Sequence, residues 1–485
     1  GTTSSRTIVF DLKGKVVSTA QKELKQYFPR SGWVEHNPID IYTDQLETFY
    51  HAIEKARILP EEIITIGITN QRETTIVWDK DTGKPIYNAI VWLDQRTQKT
   101  CEKLKKKGLS KYIKKSTGLV VDSYFSATKL NWILNNVEGA REKANLGKLC
   151  FGTVDTWLIY KFTNGKKHVT DHTNASRTLL FNIQKICWDE KLLKIFDVPK
   201  SMLPKVKKSA SNFGNIHCNG IDIPISGVAG DQQASLFGQG GFETGIAKNT
   251  YGTGCFILLN IGKKLTISSK GLLTTLTCSL ENEPLKYALE GSIFVGGAAI
   301  KWLRDKMQFI EKASETDAIC RSIPPLKNVY VVPAFSGLGA PYWDEKATGS
   351  IYGLTLDTSK NEIIKATIES LAYQTKDIIN AMLNESGKEM TLLKVDGGAS
   401  ANDYLMQFQS DILDVFVERP KMIEVTAFGA ALLAGIKMGV WKKEDLISEV
   451  DLIFKPTMQP KERKKKYKGW KKVIKRTKSR KNKVD

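Results

Sequence analysis

The sequence predicts an α/β protein built from two halves of similar design. Short apolar runs such as residues 63–69 and 392–396 alternate with stretches of helical periodicity such as residues 44–57, a pattern typical of α/β folds. Polar or glycine residues follow several of these runs, at the end where α/β sheets bind ligands. A Gly/Thr turn that leads into a strand occurs twice, at residues 1–6 and 252–256, which indicates a duplicated domain.

The composition is that of a globular protein. The 485 residues are 41% hydrophobic and 26% charged, enough chain for about two to four domains. The longest apolar run, residues 427–436, is too short to cross a bilayer, so we expect no stable membrane insertion. Seven widely spaced Cys without a C-x-x-C pair favour a reducing compartment, and we expect a cytoplasmic protein.

The net charge of +20 is concentrated at the C-terminus, where residues 461–485 contain fourteen Lys or Arg and two acids. Such a run can contact nucleic acid or an anionic membrane, or it can be a solvated helix and tail. Trp470, Val473 and Ile474 lie at helical spacing, and base-reading motifs are absent. We therefore predict a basic helix that docks by one apolar stripe, with no nucleic-acid partner.

The first half presents polar residues at the end of a strand. Residues 7–17 form a hairpin, and residues 63–69 form a buried strand that ends shortly before Arg72 and Glu73. A cation beside an anion can hold a polyol, because one donates and the other accepts hydrogen bonds from adjacent hydroxyls. The alternative interpretation is a surface ion pair.

Aromatic residues follow in the next elements. The strand over residues 89–96 contains Trp92, which is either a core residue or a wall for the C–H face of a polyol. A helix over residues 122–136 presents Tyr124 early in its course. We expect short strands and turns to alternate from residue 147 to residue 182.

A candidate general base stands near the midpoint of the chain. Residues 223–229 form an apolar strand, and Gly230 ends it immediately before Asp231. A carboxylate at the end of a strand, in a crevice between two halves, can take a proton from a substrate hydroxyl. The alternative is a solvated acid in an ordinary turn.

The domain boundary is predicted at the glycine-rich residues 238–241, where the composition changes. This gives an N-terminal domain over residues 1–240, a C-terminal domain over residues 241–459, and a basic helix and tail over residues 460–485.

The second half contains candidate phosphate-binding turns. Gly252 and Thr253 lie in a hairpin over residues 250–260, where backbone N–H groups and a hydroxyl can approach a phosphate. The strand over residues 392–396 ends in two glycines before a helix from about Asn402, which places N–H groups near a nucleotide. Together with the acid of the first half, these turns predict phosphoryl transfer to a hydroxyl.

Three further helices are predicted in this half. Residues 293–302 begin a Gly/Ala-rich helix, residues 359–362 form a capping box, and residues 426–436 form a small-residue helix that can pack tightly.

These motifs resemble those of the FGGY carbohydrate kinases. Two family signatures are present, over residues 124–133 and 349–369. The resemblance covers almost the whole chain. Within the family, the branch that phosphorylates glycerol is indicated by residues 31–36, 67–75, 152–157 and 249–256.

The resemblance implies two actin-like (ribonuclease H-like) domains with an active-site cleft between them, and ATP-dependent, Mg²⁺-supported phosphorylation of glycerol to sn-glycerol 3-phosphate. A homo-oligomer, dimer or tetramer, is also expected. Asp231 matches the catalytic base and a metal contact. The glycerol-binding positions are Arg72, Glu73, Trp92, Tyr124, Asp231, Gln232 and Phe256. The nucleotide-binding positions are Thr2, Thr3, Ser4, Arg6, Gly252, Thr253, Gly297, Gly398 and Asn402.

Three departures from the family pattern accompany the match. One is that residues 217–220 lack the glycine-rich, basic loop that some bacterial members use for regulation by a sugar bisphosphate, so that regulation is not expected here. The family's first strand, which ends in an acid that helps to hold the metal, has no counterpart before Gly1, and Lys301 stands where relatives often have Gln near the nucleotide. Three alternative functions stay open: a kinase for a larger polyol or a ketose such as xylulose, an actin-like ATPase or scaffold, and a nucleic-acid binder that acts through the basic tail.

Overall fold

The computed structural model describes residues 1–444 and 449–479. Its N-terminal part contains the strands β1 (Ser4–Phe10), β2 (Val16–Glu23), β3 (Glu35–His36), β4 (Ile66–Asn70), β5 (Ile76–Asp79), β6 (Ala89–Ile90), β7 (Leu149–Gly152), β8 (Val169–Asp171), β9 (Phe181–Asn182), β10 (Cys187–Trp188), β11 (Lys205–Lys207), β12 (Ala210–Cys218) and β13 (Ile221–Gly230). The helices of this part are α1 (Pro38–Ala56), α2 (Gln98–Lys106), α3 (Ser110–Thr117), α4 (Ser126–Asn136), α5 (Ala140–Asn145), α6 (Val154–Phe162), α7 (His172–Ala175), α8 (Glu190–Phe196) and α9 (Asp231–Gly238).

The C-terminal part contains the strands β14 (Ile246–Tyr251), β15 (Cys255–Gly262), β16 (Leu273–Leu276), β17 (Tyr287–Ile293), β18 (Tyr330–Val332), β19 (Ser350–Tyr352), β20 (Leu392–Asp396), β21 (Phe416–Pro420) and β22 (Val450–Phe454). Its helices are α10 (Gly297–Asp305), α11 (Glu315–Ser322), α12 (Lys360–Ser386), α13 (Asp403–Leu413), α14 (Val425–Lys437) and α15 (Pro460–Thr477). No helix in the described ranges is long and apolar enough to cross a membrane.

Local sequence signals fix where several helices begin. Asn37 caps α1, because its side chain accepts from the backbone N–H of Ile39 at 2.9 Å. The predicted capping box of α12 is confirmed: the carboxylate of Glu362 accepts from the N–H of Ser359 at 2.7 Å. These bonds satisfy N–H groups that have no partner within the helix.

A seven-stranded sheet forms the centre of the C-terminal part, in the order β16-β17-β15-β14-β20-β21-β22. Strands β14, β20 and β21 are parallel neighbours, and the remaining pairs are antiparallel. The long helix α12 packs against β15 and β17, and its residues Ile368, Leu371 and Ile378 belong to the main core cluster of this half. The predicted strand over residues 392–396 is confirmed as β20.

Two of the sheets in the N-terminal part lie beside a cavity. Strand β13 pairs with β12 in antiparallel and with β4 in parallel orientation, whereas β1 and β2 form a separate hairpin. A cavity of about 450 Å³ lies between β1 and β4 and is lined mainly by apolar side chains, including Ile8, Phe49 and Ile68.

Helix α14 crosses from the C-terminal part onto the N-terminal sheet, where it packs against β4, β13 and α9. Glycines permit this close approach. A Cβ atom at Gly67 would lie 2.1 Å from the carbonyl oxygen of Ala430, and one at Gly429 would lie 1.9 Å from that of Ala234. The small-residue helix predicted over residues 426–436 therefore packs tightly, as expected, and joins the two halves.

Several predicted elements differ from the observed ones. The helix predicted over residues 44–57 begins earlier, at Pro38, and the strand predicted over residues 89–96 covers only Ala89–Ile90. The stretch over residues 147–182 contains the helix α6, whereas only strands and turns were expected. Eight of the nine residues of α6 are buried, including the polar Asp155 and Thr156, so the helix is enclosed on every side and lacks the amphipathic period that reveals a surface helix. Two other helices begin four residues later than predicted, at Ser126 and at Gly297.

The basic helix α15 docks as predicted. Trp470 is fully buried, stacks on Tyr373 with ring centroids 5.2 Å apart, and donates to Asp377 at 2.7 Å. Val473 and Ile474 are buried beside it, while most of the cations on the helix face solvent. Residues 480–485 of the predicted tail lie outside the described residues.

Candidate functional site

Two parallel strand ends bring the predicted acid and the predicted ion pair together. Strands β4 and β13 pair so that Asn70 lies opposite Gly230, and the chains that leave them emerge at the same edge. Gly230 has no side chain where one would collide: a Cβ atom there would lie 2.7 Å from Cδ of Arg72. The guanidinium group of Arg72 thereby reaches the side chain of Asp231.

Asp231 is the first residue of α9, and its side chain is 38% exposed. One carboxylate oxygen lies 3.3 Å from Nε of Arg72 and accepts from the backbone N–H of Gln232 at 2.8 Å. A helix N-terminus stabilises negative charge. The carboxylate is therefore held by a cation and a helix end on one side, and is open to solvent on the other.

Arg72 and Glu73 are both buried, so the alternative of a surface ion pair is wrong. Glu73 has φ 62°, a backbone conformation that is uncommon for residues other than glycine and that clusters at functional sites. Its carboxylate accepts from Nε of Arg177 at 2.6 Å. Arg72 donates to Gln233 at 3.1 Å and to Glu290 at 2.7 Å.

The three aromatic residues predicted at the substrate site lie side by side. The ring centroid of Trp92 is 5.4 Å from that of Tyr124 and 6.3 Å from that of Phe256, both in edge-to-face geometry. All three rings are partly exposed. The indole N–H of Trp92 donates to the hydroxyl of Thr2 at 3.0 Å, which connects this aromatic wall to the first Gly/Thr turn.

Gln232 is connected to a buried lysine of the other half. The ammonium group of Lys248 on β14 donates to the side-chain oxygen of Gln232, and to the hydroxyl of Thr250 at 2.8 Å. Burial lowers the pKa of Lys248 to about 8, against the opposing effect of Asp396 and other nearby acids.

The hairpin between β14 and β15 meets the start of α10. The N–H of Gly297 donates to the carbonyl of Gly252 at 2.8 Å, and the N–H groups of Gly296 and Ala298 donate to the carbonyl of Thr253. Gly252 and Thr253 are themselves exposed. Three of the predicted nucleotide positions, Gly252, Thr253 and Gly297, are thus brought together.

The turn after β20 lies beside this hairpin, because β20 pairs with β14. A Cβ atom at Gly397 would lie 2.5 Å from the carbonyl oxygen of Tyr251, whereas one at Gly398 would meet nothing within 4 Å. Open space above Gly398 suits close approach of a ligand to the backbone. Asn402 instead caps α13: it accepts from the N–H of Leu405 at 2.8 Å and donates to Thr316 at 2.9 Å.

The nucleotide-binding residues predicted in the first Gly/Thr turn are divided between the site and the hairpin of β1. Thr3 is exposed and Ser4 begins β1. The guanidinium group of Arg6 forms an ion pair with Glu424 and donates a hydrogen bond to the side chain of Gln21 at 2.6 Å. Only Thr2 of this group has a contact to another predicted site residue, through Trp92.

Sequence reasoning missed Arg177, Lys248 and Glu290. Each interrupts an otherwise apolar or small-residue stretch, which is the only signal that the sequence offers for a buried charge. Lys248 and Glu290 flank Leu258 in the register of neighbouring strands, so both side chains leave the same face of the sheet. Their partners belong to distant segments that only the fold brings near.

No cluster of three or more His, Cys, Asp or Glu side chains that could hold a metal is found within residues 1–444 and 449–479. Asp231 is a partly exposed carboxylate of the site. A second carboxylate, Asp396 at the end of β20, is buried and has one oxygen without a hydrogen-bond partner.

Known proteins resemble this chain along its length. The family profile for the N-terminal domain of the FGGY family of carbohydrate kinases matches residues 1–238, and the profile for the C-terminal domain matches residues 247–438. A glycerol kinase of Alkaliphilus oremlandii is 54% identical over 482 residues, covering 98% of this chain and 95% of that protein. A glycerol kinase of Fusobacterium nucleatum is 55% identical over 485 residues, covering 99% and 97%.

Solved structures agree with these profiles. The crystal structure of Plasmodium falciparum glycerol kinase with ADP superposes with a TM-score of 0.93 at 40% sequence identity, and covers 98% of this chain and 96% of that one. The predicted fold class, α/β with two actin-like domains, is confirmed. The chain belongs to the FGGY family of carbohydrate kinases.

Proposed function

We propose that this protein transfers the γ-phosphoryl group of ATP to glycerol and forms ADP and sn-glycerol 3-phosphate. The observation that carries the proposal is the half-exposed carboxylate of Asp231, which lies beside a buried Arg72–Glu73 pair. High identity to glycerol kinases over nearly the full chain supports the same reaction.

We assign glycerol binding to the region where the Arg72–Glu73 pair faces the aromatic wall. Arg72 and Glu73 offer a donor and an acceptor for adjacent hydroxyls. Trp92 and Phe256 enclose the carbon chain, while Tyr124 and Gln232 add polar contacts. A pocket that hydrogen-bonds every hydroxyl rejects analogues that lack one, because buried polar groups are then left unpaired.

In the proposed mechanism Asp231 is the general base. Its carboxylate takes the proton of a terminal glycerol hydroxyl, and the freed oxygen attacks the γ-phosphorus. A new O–P bond forms while the bond to the β-phosphate oxygen breaks, so ADP leaves with that electron pair. Phosphoryl transfer depends mostly on positioning and charge stabilisation, and the arginine that faces Asp231 keeps its carboxylate oriented.

We assign nucleotide binding to Thr2, Thr3, Ser4, Arg6, Gly252, Thr253, Gly297, Gly398 and Asn402, of which Gly252, Thr253 and Gly297 are joined by backbone hydrogen bonds. Mg²⁺ fits a site with few protein ligands, because it keeps several waters and is usually held by one or two carboxylates plus substrate phosphates. Asp231 is the carboxylate that would contact it. When bound, Mg²⁺ neutralises charge on the phosphate oxygens.

The organisation of the whole protein is part of the proposal. We assign residues 1–240 to the glycerol-binding domain, residues 241–459 to the nucleotide-binding domain and residues 460–485 to the basic helix and tail. All seven Cys are free thiols, which suits the cytoplasm. A homo-oligomer, dimer or tetramer, completes the proposal.

Phosphorus NMR of a reaction mixture tests this function. With ATP, Mg²⁺ and glycerol, we expect the ATP signals to be replaced by those of ADP and one phosphate monoester. Without glycerol, ATP should stay intact. Release of inorganic phosphate irrespective of glycerol would instead identify an ATPase.

A further inference from the structure

A buried carboxylate of the C-terminal half contacts two arginines of the N-terminal half. Glu290 lies on β17. Its two oxygens accept from Nη1 and Nη2 of Arg72 at 2.7 and 3.1 Å, and one of them also accepts from Nη2 of Arg177 at 2.9 Å. The contact with Arg72 is bidentate, the geometry that fixes the plane of a guanidinium group.

This contact has the character of a strong ion pair. Glu290 and Arg177 are fully buried, and Arg72 is nearly so. Burial raises the pKa of Glu290, but the two guanidinium groups outweigh it and hold that pKa at about 2. Removal of one partner from such a network leaves an uncompensated buried charge.

The network orients the predicted substrate-binding groups. With both Nη atoms of Arg72 held by Glu290, the Nε edge is directed toward Asp231 at 3.3 Å and Glu73 at 3.6 Å. Arg177 completes the arrangement, since it contacts Glu290 with Nη2 and Glu73 with Nε. One carboxylate therefore sets the orientation of both members of the Arg72–Glu73 pair.

We propose that Glu290, which belongs to the half that does not itself carry the Arg72–Glu73 pair, is a positioning residue for the substrate hydroxyls and acts together with Arg177 of the N-terminal half. This inference rests on the proposed function. Loss of the network should weaken substrate binding, because a misplacement of about 1 Å in a binding group can cost on the order of 100-fold in rate. Nucleotide binding should be spared, because the side-chain hydrogen bonds of this network join its members to one another, to Glu73 and to Gln233, and not to the Gly252–Thr253 turn.

The test compares steady-state kinetics of Glu290→Gln with the unsubstituted protein. Gln keeps the shape and one acceptor but loses the charge. We expect the Michaelis constant for glycerol to rise by about 10–100-fold, and that for ATP to change less than about twofold. Glu290→Asp retains the charge, so its Michaelis constant for glycerol should lie between those of Glu290→Gln and the unsubstituted protein. Arg177→Lys should show the same selective loss for glycerol.

Asp377→Asn is the matched control, because Asp377 is also a buried carboxylate with several donors, but it joins α12 to α15. It should lower the melting temperature without altering either Michaelis constant. A folded Glu290→Gln variant with an unaltered constant for glycerol overturns the proposal. The proposal is also overturned if Glu290→Gln and Glu290→Asp both fail to fold while Asp377→Asn folds. Absence of glycerol phosphorylation in the unsubstituted protein would overturn the proposed function instead.

Discussion

Asp231 is the residue on which the proposed chemistry depends most. Asp231→Asn keeps the shape of the side chain and removes its basicity. We expect kcat to fall by roughly 10²–10⁴-fold, while ADP still binds, because the hairpin around Thr253 is unchanged. Steady-state kinetics and calorimetric titration with ADP measure the two effects. Asp222→Asn, at the exposed beginning of the same strand, should change neither; near-normal turnover of Asp231→Asn would remove that residue from the role of base.

The lowered pKa of Lys248 leads us to expect that substrate binding depends on pH. Burial lowers its pKa to about 8, so the ammonium form that donates to Gln232 prevails below that pH and is lost above it. The Michaelis constant for glycerol should therefore rise between about pH 7 and pH 9. Lys248→Met should raise this constant at neutral pH and flatten its pH profile.

Lys376 provides the control for this prediction. Its pKa is also lowered to about 8 by burial, but it lies on α12 and donates to the carbonyl of Ile412. Lys376→Met should leave the profile as in the unsubstituted protein. A profile that persists unchanged in Lys248→Met would show that another group titrates.

Among the structural elements, α14 offers the sharpest stability prediction. Gly429→Ala would place Cβ 1.9 Å from a carbonyl oxygen of α9, so the two helices would have to move apart. We expect a loss of about 1–3 kcal/mol in the free energy of unfolding, measured by urea denaturation. Gly435→Ala on the same helix is the comparison: its Cβ would lie 2.3 Å from the ring of Trp441, a side chain that can shift where a backbone carbonyl cannot, so its loss should be smaller. Equal losses in both variants would contradict the packing argument.

The sequence predicts elements with a local signature better than those defined by burial. The capping box of α12, the strand β20 and the small-residue helix α14 each have such a signature, and all three were confirmed. Helix α6 was missed because it is buried on all sides, with polar residues such as Asp155 among the buried ones. When every face of a helix is buried, hydrophobic periodicity no longer distinguishes one face from another.

The same distinction applies to the candidate site. Asp231 and the Arg72–Glu73 pair follow strands, so their place at a sheet edge could be read from the sequence. Glu290 could not be predicted in the same way, because its partner Arg72 lies 218 residues away. Only the docking of the two halves brings them together.

At the scale of the whole molecule, the site lies where the two halves meet, so ligands should hold them closed. The radius of gyration expected from the chain length is about 23 Å. Small-angle scattering should show a decrease when glycerol and a non-hydrolysable ATP analogue are added together, since closure excludes water from the reaction. Calorimetry confirms that both ligands are bound. Bound ligands with an unchanged radius would contradict closure.

Substrate size tests the central claim most directly. The decisive measurement is kcat/KM for glycerol, propane-1,2-diol, xylitol and xylulose, each with saturating ATP. Glycerol should give the highest value. Propane-1,2-diol lacks one hydroxyl and should leave a buried polar group unpaired, at a cost of about 1–3 kcal/mol. Trp92 and Phe256 are proposed to close over three carbons, so a fourth or fifth carbon should have no room. A pentitol or pentulose that equals or exceeds glycerol would contradict the proposed function and identify a kinase for larger sugars.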